Sequence, residues 1–282
     1  MVMKPLFWLI AFILFAPASA WSAAQPQPLA LQIHPFLPSL EIHRRFHPLS
    51  NFLSQTLNRP VRIRIATNYA EHIQSFGEGS AQLAYMGPAP YVKLTEQFGA
   101  FPILGQILVN DSPTFTGVIA VRANSALGAL RDLRGARVAF GDVNSTMSHW
   151  LPRYLMTQEG LKRSDLADLA HVGNHMNVAF GLLAGEFDAG ALKQSIFKQF
   201  QSRGLRALAT TPAIPNHVFV AAQNLPEEDV SAIRAALQAL DAPDKRFILQ
   251  ALKPSISGTH PAVDADFDEL RHVLRTTAAA PW

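Results

Sequence analysis

The sequence predicts an α/β protein of two lobes, each with a mixed, mostly parallel sheet flanked by helices, and with two hinge crossings between them. The chain has 282 residues, of which 49% are hydrophobic and 16% charged, and this is enough apolar material for two cores. Strand-like and helix-like stretches alternate along it, first before about residue 117 and again after it. Such alternation is typical of parallel sheets that are covered by helices.

The first lobe is predicted to begin with residues 25–117, where strands and helices alternate three times. Residues 61–65 alternate apolar and basic side chains, as a half-buried strand does. Apolar residues recur at helical spacing over 44–57, and this helix can begin at Pro48, because proline is tolerated in a first turn. The other strands are predicted at residues 29–33 and 81–86, and the other helices at 69–76 and 89–98.

The second lobe, residues 118–214, repeats the pattern between crossings that are predicted near 114–118 and 212–218. Strands are predicted at 116–121, 138–140, 188–192 and 206–210, and helices at 125–133, 150–159 and 175–184. Residues 215–282 then return to the first lobe, with a strand at 218–222, a helix at 227–240 and helical segments broken at Pro254 and Pro261. Ligands of two-lobed proteins bind in the cleft, at the carboxyl ends of parallel strands.

The first 24 residues have the pattern of an export signal. Lys4 supplies a positive charge, residues 6–15 are apolar, and small residues precede two candidate cleavage points, after Ala20 and after Ala24. The alternative is an uncleaved anchor, but the apolar run is short of the ~20 residues that a spanning helix needs. We therefore expect a soluble protein in the periplasm.

Several classes of function are excluded or left without support. The sequence has no cysteine, which rules out disulfides, thiolate metal sites, cysteine nucleophiles and a cysteine-linked lipid anchor. The formal net charge is +3 without any run of Lys and Arg, so we expect no nucleic-acid partner. The sequence contains no zinc-protease motif, dinucleotide fingerprint, P-loop or nucleophile elbow, and we expect no metal, no cofactor and no enzymatic activity.

The sharpest local feature is the segment Gly141-Asp142-Val143-Asn144-Ser145-Thr146-Met147-Ser148, between a buried strand and a helix. A helix start leaves backbone N–H groups unpaired and carries partial positive charge. The hydroxyls of Ser145 and Thr146 can donate to the same anion, so this corner can hold an oxyanion without any formal charge. The alternative is that Ser145 or Asn144 is simply a helix cap.

Four further side chains could reach into a cleft. His175 stands at another predicted helix start, and Asp188, where a strand meets a loop, could bind a protonated ligand oxygen or orient His175. Tyr69 and Tyr91 are two of only four tyrosines, and each could place a hydroxyl in the cleft. The alternatives are a capping or surface histidine, a turn aspartate and two core tyrosines. Ser145, His175 and Asp188 could formally compose a hydrolase triad, which only geometry can identify.

From about residue 44 to residue 240 the chain resembles the periplasmic phosphate-, phosphite- and phosphonate-binding proteins of ABC importers. The likeness rests on several segments in the same order rather than on one motif. These segments are Arg45-Phe46-His47-Pro48-Leu49, Ala66-Thr67-Asn68-Tyr69-Ala70, Gly87-Pro88-Ala89-Pro90-Tyr91-Val92, Leu130-Arg131-Asp132-Leu133-Arg134-Gly135, Val138-Ala139-Phe140-Gly141-Asp142, Ser145-Thr146, His175 and Asp188-Ala189-Gly190-Ala191.

The resemblance implies a periplasmic-binding-protein-like fold that closes on its ligand and performs no covalent chemistry. It implies that Tyr69 and Tyr91 line the first lobe's side of the cleft, with Ser145 and Thr146 holding the anion at a helix N-terminus. It further implies that His175 donates from the second lobe. The implied ligand is a small phosphorus oxyanion (phosphite, phosphate or a simple phosphonate). The implied partner is an ABC permease in the inner membrane, with a membrane sensor kinase as the alternative, and we expect a monomer.

Two positions depart from the family's pattern. The family's serine-threonine-serine-glycine run is Ser145-Thr146-Met147-Ser148 here, so one anion contact is expected to be missing or supplied from elsewhere. The acidic residue with which aminoalkylphosphonate binders hold the ligand ammonium is Ser195 here. Because an unpaired ammonium in a closed cleft is costly, the sequence predicts a ligand without an amine.

Overall fold

The structure, a computed structural model, describes residues 27–280 and residue 282, and the predicted export signal lies outside these residues. Their strands are β1 (Leu29–Ile33), β2 (Val61–Ile65), β3 (Leu83–Met86), β4 (Ile103–Val109), β5 (Thr114–Phe115), β6 (Gly117–Arg122), β7 (Arg137–Phe140), β8 (Asp168–His171), β9 (Ala189–Lys193), β10 (Leu205–Thr210), β11 (Ile214–Pro215), β12 (Val218–Ala221) and β13 (Ile256–His260). Their α-helices are α1 (Ser39–Thr56), α2 (Tyr69–Gly77), α3 (Pro88–Phe98), α4 (Leu151–Gln158), α5 (His175–Ala184), α6 (Gln194–Gln201), α7 (Glu227–Gln238), α8 (Arg246–Leu252) and α9 (Asp268–Ala279).

The first lobe is built on a six-stranded sheet with the order β13-β4-β12-β3-β1-β2. β1 runs parallel to β2 and β3, because α1 and α2 carry the chain back between these strands. β12 is antiparallel to β3 and β4, and it enters the sheet only after the chain has passed through the second lobe. The carboxyl ends of β1 and β3 therefore share one edge, from which α2 and α3 begin.

The second lobe is built on a five-stranded sheet with the order β10-β6-β9-β7-β8. β7 is parallel to both β8 and β9, and β6 is antiparallel between β9 and β10. The carboxyl end of β7 leads to the helical turn that precedes α4, and the carboxyl end of β9 leads directly into α6. This edge of the second sheet supplies the second wall of a cleft.

The two connections between the lobes pair with each other. β5 and β11 form a two-stranded antiparallel ribbon, with Ile214 opposite Phe115 and Pro215 opposite Thr114. β6 to β10 form the sheet of the second lobe, and β1 to β4, β12 and β13 form the sheet of the first. The residue limits of the lobes given above, 25–117, 118–214 and 215–282, stay predictions.

The lobes are closed on each other in this structure. Met147 and Leu151 of the second lobe belong to the same buried apolar cluster as Met86 and Tyr91 of the first. The Lys93 ammonium donates to the side-chain oxygen of Asn144 at 2.7 Å, across the cleft. α9 packs against both α3 and α4 and so spans the two lobes on one side.

Several predicted elements are wrong in type or extent. Residues 125–133 form no α-helix, and only Leu130–Leu133 makes a short 3-10 turn, because the Asp132 carboxylate accepts from the amides of Gly128 and Ala129. α1 begins at Ser39, ahead of the predicted start, and accommodates Pro48 in its interior. The segment between Pro254 and Pro261 contains β13 rather than a helix, and β4, β8 and α6 were not predicted.

Within residues 27–280 and 282, none of the helices is both long enough and apolar enough to traverse a bilayer.

Candidate oxyanion-binding site

A small cavity, which we call the inner cavity, lies between the lobes where the strand ends of both sheets meet. It has room for about 10 Å³, close to the volume that one water-sized sphere occupies. Polar side chains from both lobes line it together with a few apolar ones. The lining residues are His34, Phe36, Tyr69, Gly87, Phe115, Ser145, Thr146, Met147, His175, Lys193 and His217. A ligand larger than water therefore requires the lobes to part before it can enter.

Ser145 and Thr146 form one corner of the inner cavity, at the start of a π-helical turn, Thr146–Trp150, that leads into α4. Ser145 is its N-cap, and its Oγ accepts a hydrogen bond from the Ser148 amide at 3.3 Å. Thr146 Oγ1 accepts from the Ala89 amide of the first lobe at 2.9 Å. Because both hydroxyl oxygens accept these bonds, both hydroxyl protons stay available for an anion. The corner is buried, and both polar side chains and the apolar side chains of Phe36, Phe115 and Met147 line the cavity that it faces.

Tyr69 opens α2 and faces the same corner. Its side chain lines the inner cavity together with that of Ser145. Burial, and then the negative charge of Asp142, raise the pKa of Tyr69 above its ordinary value. The phenol therefore stays protonated at neutral pH and can donate to a ligand oxygen.

His175 opens α5 on the second lobe's side. Its Nδ1 accepts a hydrogen bond from the Lys193 backbone amide at 3.2 Å. Burial lowers the pKa of His175 well below its ordinary value, so the ring is neutral and carries its proton on Nε2. His175 is thus fixed as a donor through Nε2.

Lys193 is the cation of the inner cavity, and the sequence analysis did not single it out. It ends β9 and holds its Nζ 4.2 Å from the centre of the Phe36 ring, which belongs to the opposite lobe. Burial, helped by the charges of Lys253 and Arg45, lowers the pKa of Lys193 to about 7. A bound anion would favour its charged form.

His34 and His217 are two further lining residues that the sequence analysis missed. His34 Nδ1 donates to the Tyr85 carbonyl at 3.0 Å, and His217 Nδ1 donates to Asn216 Oδ1 at 3.1 Å. Burial lowers the pKa of His34 to about 3 and that of His217 well below its ordinary value. Each Nε2 is therefore an acceptor, and it can accept a hydrogen bond from the P–OH group of a singly protonated anion.

Two of the predicted site residues do not reach the inner cavity. Tyr91 instead donates its hydroxyl to Asp264 at 2.9 Å and packs on Phe267, because the start of α3 turns it toward α9. Asp188 binds Arg137 through the backbone amide at 2.9 Å and through the guanidinium at 2.9 Å. Asp188 precedes β9, whereas Lys193 ends it, so the two lie at opposite edges of the sheet.

Replacing Asp188 by Ala is therefore expected to lower stability and to leave ligand binding unchanged. The change leaves the Arg137 amide without its acceptor and breaks an ion pair that also includes Arg122 at 3.6 Å. Thermal unfolding should report a lower Tm, and calorimetry should report a Kd within about twofold of the wild-type value. A large loss of affinity with an unchanged Tm would restore Asp188 to the site.

Met147 and Ser148 occupy the positions where the sequence departs from the family's pattern. Met147 packs against Gly117, where an added Cβ would lie 3.0 Å from its sulfur, and its sulfur accepts from Thr211 at 3.5 Å. Ser148 Oγ is buried beside Gly141 and has no hydrogen-bond partner among the described residues. Neither side chain replaces the third hydroxyl of the family's pattern. The Lys193 ammonium, which lines the inner cavity, offers a donor instead.

Comparison with known proteins finds the same class repeatedly. A family model described as ABC transporter, phosphonate, periplasmic substrate-binding protein matches residues 31–267. The chain is 25% identical to the phosphate-import protein PhnD of Mycolicibacterium smegmatis, over 93% of this chain and 90% of that protein. It is 24% identical to the probable ABC transporter phosphite-binding protein PhnD1 of Prochlorococcus marinus, over 68% of this chain and 67% of that one.

A solved structure shares the whole fold. The structure of PhnD1 from Prochlorococcus marinus in complex with methylphosphonate superposes with a TM-score of 0.82 at 20% sequence identity. The superposition covers 91% of this chain and 100% of that one. It supports a two-lobed periplasmic-binding-protein fold for this chain.

Proposed function

This chain belongs to the family of periplasmic substrate-binding proteins of phosphonate ABC transporters, and from that premise we propose that its inner cavity binds phosphite, phosphate or a simple alkylphosphonate. The family places the protein in the periplasm and gives it an ABC permease as partner. Two names among its relatives, phosphate-import protein and phosphite-binding protein, and the methylphosphonate in a structural neighbour support this range of ligands.

One observation carries the proposal: donors from both lobes, the Tyr69 hydroxyl of the first and four groups of the second, line a single small cavity. The hydroxyls of Ser145 and Thr146, the Nε2–H of His175 and the ammonium of Lys193 all belong to its walls. Hydrogen bonds to a charged acceptor in a water-poor site are strong, so these groups can replace the hydration shell of an oxyanion. Closure then completes the ligand's coordination, and the closed form is the one that a permease would recognise.

The geometry gives no support to the hydrolase alternative. The Nδ1 atom of His175 accepts a hydrogen bond from the backbone amide of Lys193, whereas a triad needs this atom to donate a hydrogen bond to a carboxylate. Asp188 pairs with Arg137 at the other edge of the sheet. We propose binding without chemistry, by a monomer that residues 1–24 direct to the periplasm.

A ligand without an amine is expected, and calorimetric titration tests this. Ser195 lies in the wall of the pocket that adjoins the inner cavity, near Lys193 and Lys198, so an aminoethyl substituent would meet cations. We expect methylphosphonate or phosphite to bind with a micromolar or lower Kd, which corresponds to about −8 kcal/mol or better, and aminoethylphosphonate to bind at least about tenfold more weakly. Equal or tighter binding of the amine would contradict the prediction, and failure of every phosphorus oxyanion to bind would contradict the proposed function.

A further inference from the structure

A larger pocket, which we call the outer pocket, adjoins the inner cavity beside the hinge ribbon. Its volume is about 760 Å³, and it shares Phe36, Phe115, Lys193 and His217 with the inner cavity. Because these four residues line both spaces, a ligand that is held in the inner cavity can extend a substituent into the outer pocket. The two phenylalanine rings at the junction offer apolar contact to the methylene groups of such a substituent.

The outer pocket is lined by cations. Arg45, Lys193, Lys198 and Lys253 contribute to its wall, and within residues 27–280 none of its lining residues is Asp or Glu. Arg45 is paired with Glu41 at 2.6 Å. The three lysines have no carboxylate partner among the residues that the structure describes.

These cations face each other across the cleft. Lys193 and Lys198 belong to β9 and α6 of the second lobe, whereas Arg45 and Lys253 belong to α1 and to the end of α8 in the first. Burial, and then the charge of Lys198, lower the pKa of Lys253 to about 8, and Lys253 acts in the same direction on Lys193. Closing the lobes therefore brings like charges together in a partly desolvated space, and an anion between them would offset this repulsion.

We propose that the physiological ligand is a phosphonate whose short alkyl substituent ends in a second anionic group such as a carboxylate. Its phosphorus oxygens occupy the inner cavity, its methylene groups pass between Phe36 and Phe115, and its second anion lies near Lys198 and Lys253 in the outer pocket. This inference rests on the proposed function and extends its range of ligands from simple alkylphosphonates to phosphonates that carry a second anion.

Calorimetry with three ligands tests the inference on the purified protein. Methylphosphonate fills the inner cavity alone, propylphosphonate adds a neutral substituent, and phosphonopropionate adds a substituent that ends in a carboxylate. We expect phosphonopropionate to bind about tenfold or more tightly than propylphosphonate, as one or two charge-assisted hydrogen bonds would give. In Lys253→Gln this preference, measured near pH 6, should fall to about twofold or less. The affinity for methylphosphonate should stay unchanged at that pH, because Lys253 lines only the outer pocket and Lys193 is then charged with or without it.

Lys162→Gln is the matched control. Lys162 is exposed and lines neither pocket, and its replacement by Gln removes one positive charge, as Lys253→Gln does. The inference is overturned if propylphosphonate binds as tightly as phosphonopropionate, or if the preference persists in Lys253→Gln. In both cases methylphosphonate still binds and the proposed function stands. If methylphosphonate, phosphite and phosphonopropionate all fail to bind the folded protein, the proposed function is wrong and this inference fails with it.

Discussion

The double variant Ser145→Ala, Thr146→Val is expected to bind methylphosphonate about 10²–10⁴-fold more weakly than the wild type. Each hydroxyl that donates to a charged oxygen contributes about 1.5–3 kcal/mol, so the pair contributes about 3–6 kcal/mol. Thr146 also accepts from the Ala89 amide of the first lobe, and valine would leave that amide unpaired in the closed form. Titration calorimetry measures the loss directly.

The matched control for this double variant is Ser125→Ala. Ser125 also accepts a backbone hydrogen bond, from the Leu127 amide at 3.2 Å, but it does not line the inner cavity. The Ser125→Ala variant should lose about 1 kcal/mol of unfolding free energy, as one helix-cap substitution does, and should keep the wild-type affinity for methylphosphonate. If the double variant is folded and binds within about threefold of the wild type, the corner at Ser145 and Thr146 is not the anion site.

Replacing Lys193 by Met is expected to weaken binding about 10–100-fold near pH 6 and to flatten its pH dependence. The pKa of Lys193 is about 7 in the closed structure without an anion, and a bound anion raises it because it stabilises the ammonium. Binding therefore takes up a proton above pH 7. Affinity is highest below that pKa and falls as pH rises from it toward the higher pKa of the complex.

Phosphonates titrate in the same range, so the informative quantity is the difference in log Kd between wild type and Lys193→Met at each pH. This difference should shrink as pH rises from about 6 to about 9, since the wild-type ammonium then loses its proton. Lys162→Met should show no such difference. A constant difference across the range would mean that Lys193 acts only by filling space.

The corner at Ser145 and Thr146 could be predicted from sequence because its signal is local. A buried strand, a glycine and two hydroxyl residues before a helix are visible in a few consecutive letters. Tyr69 and His175 were found in the same way, as residues at helix starts. All four line the inner cavity, because the sheets bring several helix starts to one place.

Lys193, His34 and His217 could not be found in this way, since their role depends on strand direction and strand order. Lys193 and Asp188 flank the same strand, β9, and differ only in which end they occupy. Parallel strands put ligands at their carboxyl ends, and the five residues of β9 separate the two ends by about 13 Å. Asp188 was predicted because it stands where a strand meets a loop, and only the strand direction shows that Lys193, not Asp188, lies at the end of β9 that lines the inner cavity.

The ribbon of β5 and β11 determines how the molecule opens. Because the two connections are hydrogen-bonded to each other, we expect them to bend together as one hinge rather than independently. Pro215 further restricts the backbone of the second connection, because its ring fixes φ. Phe115 belongs both to this ribbon and to the wall of the inner cavity, so a ligand bound in that cavity would lie close to the hinge. A rotation about the hinge moves nearby atoms less than distant ones. We therefore expect the outer edges of the lobes to separate and admit solvent while the side chains of the inner cavity move only slightly.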